Sequence, residues 1–493
     1  MQKKYGGGGT LAERTTKRIK VIGGGLAGPE AALQAARLGC EVDLYEMRPT
    51  RSTEAHQTSD FAELVCSNSL KSESENTAPW LLKQEMRRAG SILLAEADAS
   101  AVPAGHALAV DRVEFSKRVA TRIAAEPRIT VHREEVLTLD ENDPNIITIL
   151  ASGPLTSPAL TAELQRLTGR DQLAFYDSIS PIVDASTINM DRVYFAARYD
   201  KGTADYINCP FTKEEYETFL DALIAAEAVP AKEWEQIPKA ATAPNGESTE
   251  PGAPGPDSGT WVSSEPKGSG STPEKLHYFE GCLPIEETAR RGRDTLRFGP
   301  MKPVGLTDPK TGRWPYAVVQ LRQENLRADS YNLVGFQNHL KFGEQNKVLK
   351  LIPGLEEATF LRYGQIHRNT YINAPTLLTE TLQLRAHPSI MIAGQLSGVE
   401  GYTESIASGM LAGRYAAALA HGNAPTPAPR ASANGSLTHY ITHAEGKRFQ
   451  PANITFDLLV PLEEELRKKI RDKKERHKLQ CDRALVAWDE WLS

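Results

Sequence analysis

Three groups of residues in this 493-residue chain could do chemistry. The first is a run of glycines, Gly23, Gly24 and Gly25 followed by Gly28, within KVIGGGLAGPEAALQAARLGCEVDLYE from Lys20 to Glu46. This G-x-G-x-x-G spacing suits a dinucleotide. Gly23 permits a tight turn, Gly25 lets a pyrophosphate approach the backbone, Gly28 lets a helix pack on the strand, and Glu46 can accept from a ribose hydroxyl. The second group is two cysteines in polar settings, Cys66 in LVCSNSLKS and Cys282 in YFEGCLPIEE. A thiolate forms where a helix N-terminus or a cation lowers the thiol pKa, whereas most single cysteines are small core residues. Cys40 follows the helix-ending Gly39 and reads as structural, and Cys209 and Cys481 lack a comparable setting. The third group is basic: Arg290, Arg291, Arg293, Arg297 and Lys302 near Cys282, and the run that begins Arg467, Lys468, Lys469. A solvated helix with i,i+4 pairs and a phosphate-tracking surface for RNA both fit that run. None of these three groups points to a metal.

The elements that must position these groups follow from the pattern. Strand, turn, helix and strand succeed one another from Lys20 to Glu46. A second strand-to-helix junction follows Ile390–Ala393, reading GQLSGVEGYTESIASGMLAG from Gly394 to Gly413. Its small residues, Ala407, Ser408, Gly409, Ala412 and Gly413, allow close backbone packing. It resembles the second flavin-binding segment of glutathione-reductase-type flavoproteins, which moves the expected cofactor from NAD to FAD. The expected contacts are Gly23, Gly24, Gly25, Leu26, Ala27, Gly28 and Glu46 at one end, with Gly394, Gln395, Val399, Glu400, Gly401, Tyr402 and Ser405 at the other.

Between the junctions, helical spacing of apolar residues predicts a helix over Trp80–Ala95, and a short apolar strand over Ala107–Val110 is followed by a second helix, Arg112–Ala125. Strands are predicted over Ile129–His132 and Ile146–Ala151, the latter entering a turn, Ser152–Ser157, near the cofactor. From about Phe175 short strand-like pieces and a helix from Lys213 suggest an inserted α+β domain. Lys239–Glu274 is dense in Pro, Gly, Ser and Thr and reads as a disordered surface loop. The polar-aromatic run His367–Pro375 suits either a substrate cleft or a hydrogen-bonded surface loop. The fold expected is α/β, a Rossmann-like FAD-binding domain with an inserted α+β domain and a C-terminal helical tail. The divisions are a flexible leader (1–16), the FAD-binding domain in two parts (17–185 and 321–424), the insert (186–320), and a linker with a basic helical segment (425–493).

Composition narrows the class. Five dispersed cysteines argue for a reducing cytoplasm and against a disulfide framework or zinc ribbon. No stretch approaches the roughly 18 apolar residues of a membrane span, and the first sixteen residues have no apolar signal core. A formal charge of −6 does not advertise nucleic-acid binding, though a local basic face suffices for it.

GGGLAGPEAA (23–32), LVCSNSLKS (64–72), FYDSISPIV (175–183), YFEGCLPIEE (278–287), RFGPMKPVGL (297–306) and GVEGYTESIASGMLAG (398–413) together resemble the TrmFO family. That family comprises folate- and FAD-dependent tRNA (uracil-5-)-methyltransferases related to the larger GidA/MnmG flavoproteins. The likeness runs from about Lys17 to Ala420, while the leader and the 239–274 loop look like insertions. It implies methylation of the T-loop uridine (position 54) with 5,10-methylenetetrahydrofolate as one-carbon donor and FAD reduced by NAD(P)H as hydride source. It also implies tRNA as partner and no obligatory protein partner. Two thiols suit the reaction, Cys282 as nucleophile and Cys66 as partner acid/base at the flavin, or the reverse. The alternatives are an MnmG-like wobble-uridine modifier and a small-molecule NAD(P)H:flavin oxidoreductase. No second G-x-G-x-x-G marks a separate nicotinamide domain for the latter.

Overall fold

The structure, a computed structural model, describes residues 17–53, 55–169, 173–200, 203–229, 283–446 and 449–493. Cys282, the 1–16 leader and the 239–274 segment lie outside the described residues.

Both ends of the chain build one parallel sheet. Its five strands are β1 (Arg18–Ile22), β2 (Val42–Tyr45), β6 (Ile129–His132), β7 (Ile146–Leu150) and β16 (Ile390–Ile392), in the order β16-β7-β1-β2-β6. Ile22 is in register with both Leu150 and Tyr45, so three strands end at one edge. Helix α1 (Ala27–Arg37) leaves that edge, starting with Pro29 in its first turn, where the missing N–H costs nothing. Gly39, at φ +89°, lies just past its end. Its buried side chains are mostly alanine, a low face that α11 (Tyr402–Ala420) packs against.

The second sheet is antiparallel, ordered β10-β11-β12-β13-β9-β14. Its strands are β9 (Ile182–Asp184), β10 (Tyr194–Ala196), β11 (Tyr206–Phe211), β12 (Ala317–Gln323), β13 (Ser330–Leu333) and β14 (Phe360–Arg362). A separate core of Phe211, Phe219, Leu321, Leu333 and Phe336 lies beneath it. Helices α6 (Lys213–Ala225), α7 (Ile285–Arg290), α8 (Thr295–Phe298) and α9 (Phe342–Leu349) belong to the same unit. This sheet runs from Ile182 to Arg362, a wider span than the 186–320 insert, because β13 and β14 return to pair with β9. The two chain crossings between units, β8 (Leu173–Ser178) and β15 (Ile366–Tyr371), pair antiparallel and so satisfy each other's backbone groups.

A three-stranded sheet, β3 (Ser69–Ser72), β5 (Ala107–Val110) and β4 (Ala101–Val102), lies with α4 (Arg112–Ala125) on the first unit, which also holds α5 (Pro158–Thr168). The helix expected over Trp80–Ala95 is two helices, α2 (Ala78–Arg88) and α3 (Ile92–Ala99). Gly90 at φ +72° turns the chain after α2, and the Ser91 hydroxyl caps α3 by accepting from Leu94 N. The C-terminal layer comprises α10 (Ala374–Leu377), α12 (Ala433–His443), α13 (Glu464–Lys469) and α14 (Lys473–Leu492). The charged tail is therefore broken, since Asp472 caps a new helix at Lys474 N. One face of α14 buries Cys481, Ala484, Leu485 and Trp488, and Trp488 Nε1 donates to the Glu85 carbonyl at 2.7 Å.

Candidate cofactor and active site

The glycine turn after β1 is built by exclusion. Gly23 takes φ +118°, and a Cβ there would lie 2.3 Å from the Ala151 carbonyl oxygen. A Cβ on Gly28 would lie 1.8 Å from the Gly23 carbonyl oxygen, which is how closely α1 sits on the turn. A Cβ on Gly25 would meet nothing within 4 Å, because Gly25 faces a cavity of about 370 Å³. Gly23, Gly24, Gly25, Leu26 and Ala27 line it, so the start of α1 presents its positive dipole end to the space.

Glu46, at the end of β2, is buried on the same wall. Its Oε2 accepts from Gly24 N at 2.7 Å, and its Oε1 accepts from Arg48 N at 2.9 Å and Arg48 Nε at 2.8 Å. Burial opposes its ionisation, but the hydrogen bonds and charge of Arg48 outweigh that and hold its pKa below the usual carboxylate value. Oε2 therefore stays an ionised acceptor with a lone pair to spare for a ribose hydroxyl.

The second junction closes the opposite wall. Gly394 (φ +71°), Gly398 (φ +91°) and Gly401 (φ +108°) all use backbone that favours glycine. Gly394 N donates to Ser408 Oγ at 2.8 Å, and Gln395 Nε2 donates to Glu400 Oε2 at 2.6 Å. Further along α11, a Cβ on Gly409 would lie 2.3 Å from the Ala27 oxygen, and one on Gly413 would lie 2.4 Å from the Ala31 oxygen. Gly394, Gln395, Glu400, Gly401, Tyr402 and Ser405 reach the cavity. Val399 does not line it; it is buried and bridges to Ala452, while Gly28 packs beneath the turn.

Cys66 lies on the cavity wall, on a loop gripped from three directions. Its N–H donates to Tyr402 Oη at 2.7 Å, and Ser67 N does so at 3.2 Å. Arg112 Nη1 donates to the Leu64 carbonyl at 2.6 Å. From β12, Arg322 donates to Ser67 Oγ at 2.8 Å and to Asn68 Oδ1 at 2.9 Å. Arg112 and Arg362 also lie within electrostatic reach of Cys66. Burial pushes the Tyr402 hydroxyl far above its ordinary pKa, and the nearby Cys66 adds to the shift, so that phenol stays protonated.

Sequence reasoning did not assign Lys71 or Gln337 to the wall, and it left the run that holds Asn369, which also lines the wall, between a substrate cleft and a surface loop. Lys71 Nζ pairs with the buried Glu404 at 2.7 Å. Asn369, in the polar-aromatic run, is 1 % exposed, and its Oδ1 has no hydrogen-bond partner among the described residues. A buried, unpaired carbonyl oxygen on the wall is what a ligand N–H or O–H would satisfy. With the Gly25 opening and the Glu46 acceptor, it makes the donor set fit a dinucleotide. The turn Ser152–Ser157 lines the cavity too. The signal for it was a strand entering Gly-Pro at the sheet edge.

The basic residues lie elsewhere. Arg290 pairs with Glu287, and Arg293 with Asp221 at 2.6 Å. Arg291, Arg467, Lys468 and Lys469 are exposed, with Lys468 also 2.6 Å from Glu464. Among the described residues no helix is long and apolar enough to cross a membrane.

A parallel sheet whose edge is closed by two glycine junctions, one from each end of the chain, defines a Rossmann-like α/β fold of the FAD-binding kind. A family model described as glucose inhibited division protein A (GIDA) matches residues 18–247 and 267–424. The solved GidA of Aquifex aeolicus superposes with a TM-score of 0.63 at 16 % identity, covering 97 % of this chain and 76 % of that one. A methylenetetrahydrofolate–tRNA-(uracil-5-)-methyltransferase TrmFO of Koribacter versatilis is 64 % identical over 97 % of this chain and 98 % of its own. Those of Solibacter usitatus and Enterococcus faecalis are 58 % and 50 % identical, over 97 % and 95 % of this chain and 99 % and 97 % of theirs. The chain belongs to the TrmFO family.

Proposed function

We propose that this protein is a cytoplasmic methylenetetrahydrofolate–tRNA-(uracil-5-)-methyltransferase that methylates the T-loop uridine at C5. The observation that carries this reading is the 64 % identity, end to end, with a relative of that name. The start of α1 and Gly25 would hold the FAD pyrophosphate, Glu46 a ribose, and Gly394–Ser405 the remainder. When bound and reduced by NAD(P)H, FAD supplies the hydride that turns a methylene at C5 into a methyl group.

The protein's own groups do the rest. Uracil C5 is a poor nucleophile, so a cysteine thiolate adds to C6 and moves the C5=C6 electron pair into an enolate. C5 then bonds to the one-carbon unit as one of that carbon's bonds to a folate nitrogen breaks, a base removes the C5 proton so that the remaining carbon–nitrogen bond breaks to leave an exocyclic methylene, and the thiolate departs as that methylene takes the hydride and the ring double bond re-forms. Cys282 is assigned as the nucleophile and Cys66 as the acid/base beside the flavin. The position of Cys66 on the cavity wall among arginines supports its part in this pairing. The T-loop base must leave its stack to react, and phosphate contacts from Arg290, Arg291, Arg293, Arg467, Lys468 and Lys469 would hold the RNA.

Single Cys66→Ser and Cys282→Ser variants, assayed for methyl transfer into unmodified tRNA, test the assignment. Both are expected to lose activity, with covalent RNA adduct formation abolished only in Cys282→Ser. Full activity in both would refute the thiol mechanism, and adduct loss in Cys66→Ser alone would exchange the two roles.

A further inference from the structure

Three side chains that the proposed reaction does not use converge on the C-terminal layer. His439 and His443 stand one turn apart on α12, with ring centroids 4.2 Å apart and planes inclined by 16°. Glu380, from the loop between α10 and β16, reaches both. Its Oε1 is 3.1 Å from His439 Nδ1 and 3.7 Å from His443 Nδ1. Each residue brings one donor atom to within 4.8 Å of the other two.

We propose that Glu380, His439 and His443 form a binding site for a zinc-class divalent ion. Two imidazoles and one carboxylate are the donor set of three-ligand zinc sites, with solvent completing the shell. Two histidines at i and i+4 meet on one helix face without any change of backbone. The half-exposed cluster leaves room for the solvent ligand, and hard ions such as magnesium and calcium find too few oxygens there.

The surroundings hold the donors in place. Thr442 Oγ1 donates to the Thr438 carbonyl at 2.8 Å, and His443 Nδ1 lies 2.9 Å from that hydroxyl oxygen and 3.2 Å from the His439 carbonyl, partners that an ion at Nδ1 would displace. Arg430, the cation within electrostatic reach of Glu380, donates to Ser436 Oγ at 2.7 Å and to the Leu458 carbonyl at 3.1 Å. The start of α12 is anchored by Glu85, which accepts from Ala433 N at 2.6 Å and Asn434 N at 2.9 Å. An ion here would clip the 378–389 connection to α12.

The test is zinc titration by calorimetry of the full-length, chelator-stripped protein beside His439→Ala, His443→Ala, Glu380→Gln and a Cys66→Ser/Cys282→Ser double variant. The wild type is expected to bind one zinc equivalent that either histidine variant lacks. Glu380→Gln should weaken that equivalent about tenfold or more. The cysteine variant should retain it, and magnesium or calcium should not compete. Equal zinc stoichiometry in the wild type and both histidine variants would overturn the proposal, as would loss of that equivalent in the cysteine variant. Should an alanine variant fail to fold, His439→Gln and His443→Gln replace it, read by thermal denaturation. Zinc must then raise the wild-type midpoint and not theirs, and equal shifts refute the site.

Discussion

Replacing Gly409 with alanine tests whether the contact between α1 and α11 sets the shape of the cofactor cleft. The new Cβ would lie 2.3 Å from the Ala27 oxygen and 2.8 Å from its Cα, where ordinary contact begins at 3.4 Å. Both partners are backbone, so α11 has to retreat by about 1 Å in a close-packed interior. Overpacking of this kind costs about 1–3 kcal/mol, and the better helix propensity of alanine returns about 1 kcal/mol of it. A net loss of up to about 2 kcal/mol, fully coupled to the cleft that Ala27 lines, is a loss of FAD affinity of up to about thirtyfold. Gly343→Ala is the control. It makes the same change inside α9, where a Cβ meets nothing within 4 Å, and should stabilise by about 0.5–1 kcal/mol. FAD titration of the apo-protein and urea denaturation read both effects. A Gly409→Ala protein that binds FAD like the wild type and is as stable as Gly343→Ala would refute the reasoning.

Other outcomes follow from the same contacts. The Glu46 carboxylate has its folded pKa lowered, so its stabilising contribution is fully present above the unfolded value and is lost as pH falls through the folded one. The stability gap between wild type and Glu46→Gln, measured by denaturation, should therefore be constant near neutrality and shrink below about pH 4.5. Arg322→Ala removes two charge-assisted bonds to the Cys66 loop, each worth about 1.5–3 kcal/mol. Methyl transfer should fall at least about tenfold while the protein still purifies with flavin, and unchanged turnover would show that the loop needs no such grip. Neutralising Arg467, Lys468 and Lys469 together should weaken tRNA binding and reduce its salt slope by about 2, whereas an unchanged slope assigns α13 to solubility.

What the sequence made legible was local. A short apolar run placed β5, and the helix read from Arg112 to Ala125 is α4, both at the residues the structure shows, while the glycine spacing located the turn after β1. The small residues of α11 were readable because only close backbone contact needs so many together. What stayed hidden depends on partners far away in the chain. Glu30 looks like an ordinary first-turn acid of α1, yet it is buried and accepts from Leu93 N at 2.7 Å, capping α3. Glu85 does the same for α12. Arg322 lies on a strand of the second sheet, and nothing in its neighbourhood of sequence announces Ser67 and Asn68 as its acceptors. The split of α2 from α3 had a local signal, Gly90-Ser91, but the apolar period continues across it and hid the break.

The central claim is that this flavoprotein fold serves to methylate RNA. It is tested most directly by incubating the purified protein with unmodified tRNA, 5,10-methylenetetrahydrofolate and NAD(P)H, and then mapping the modified nucleoside by mass spectrometry. The account predicts 5-methyluridine in the T-loop, dependent on both the folate and the nicotinamide. A uridine modified elsewhere, or oxidation of NAD(P)H with no mass gained by the tRNA, would contradict it.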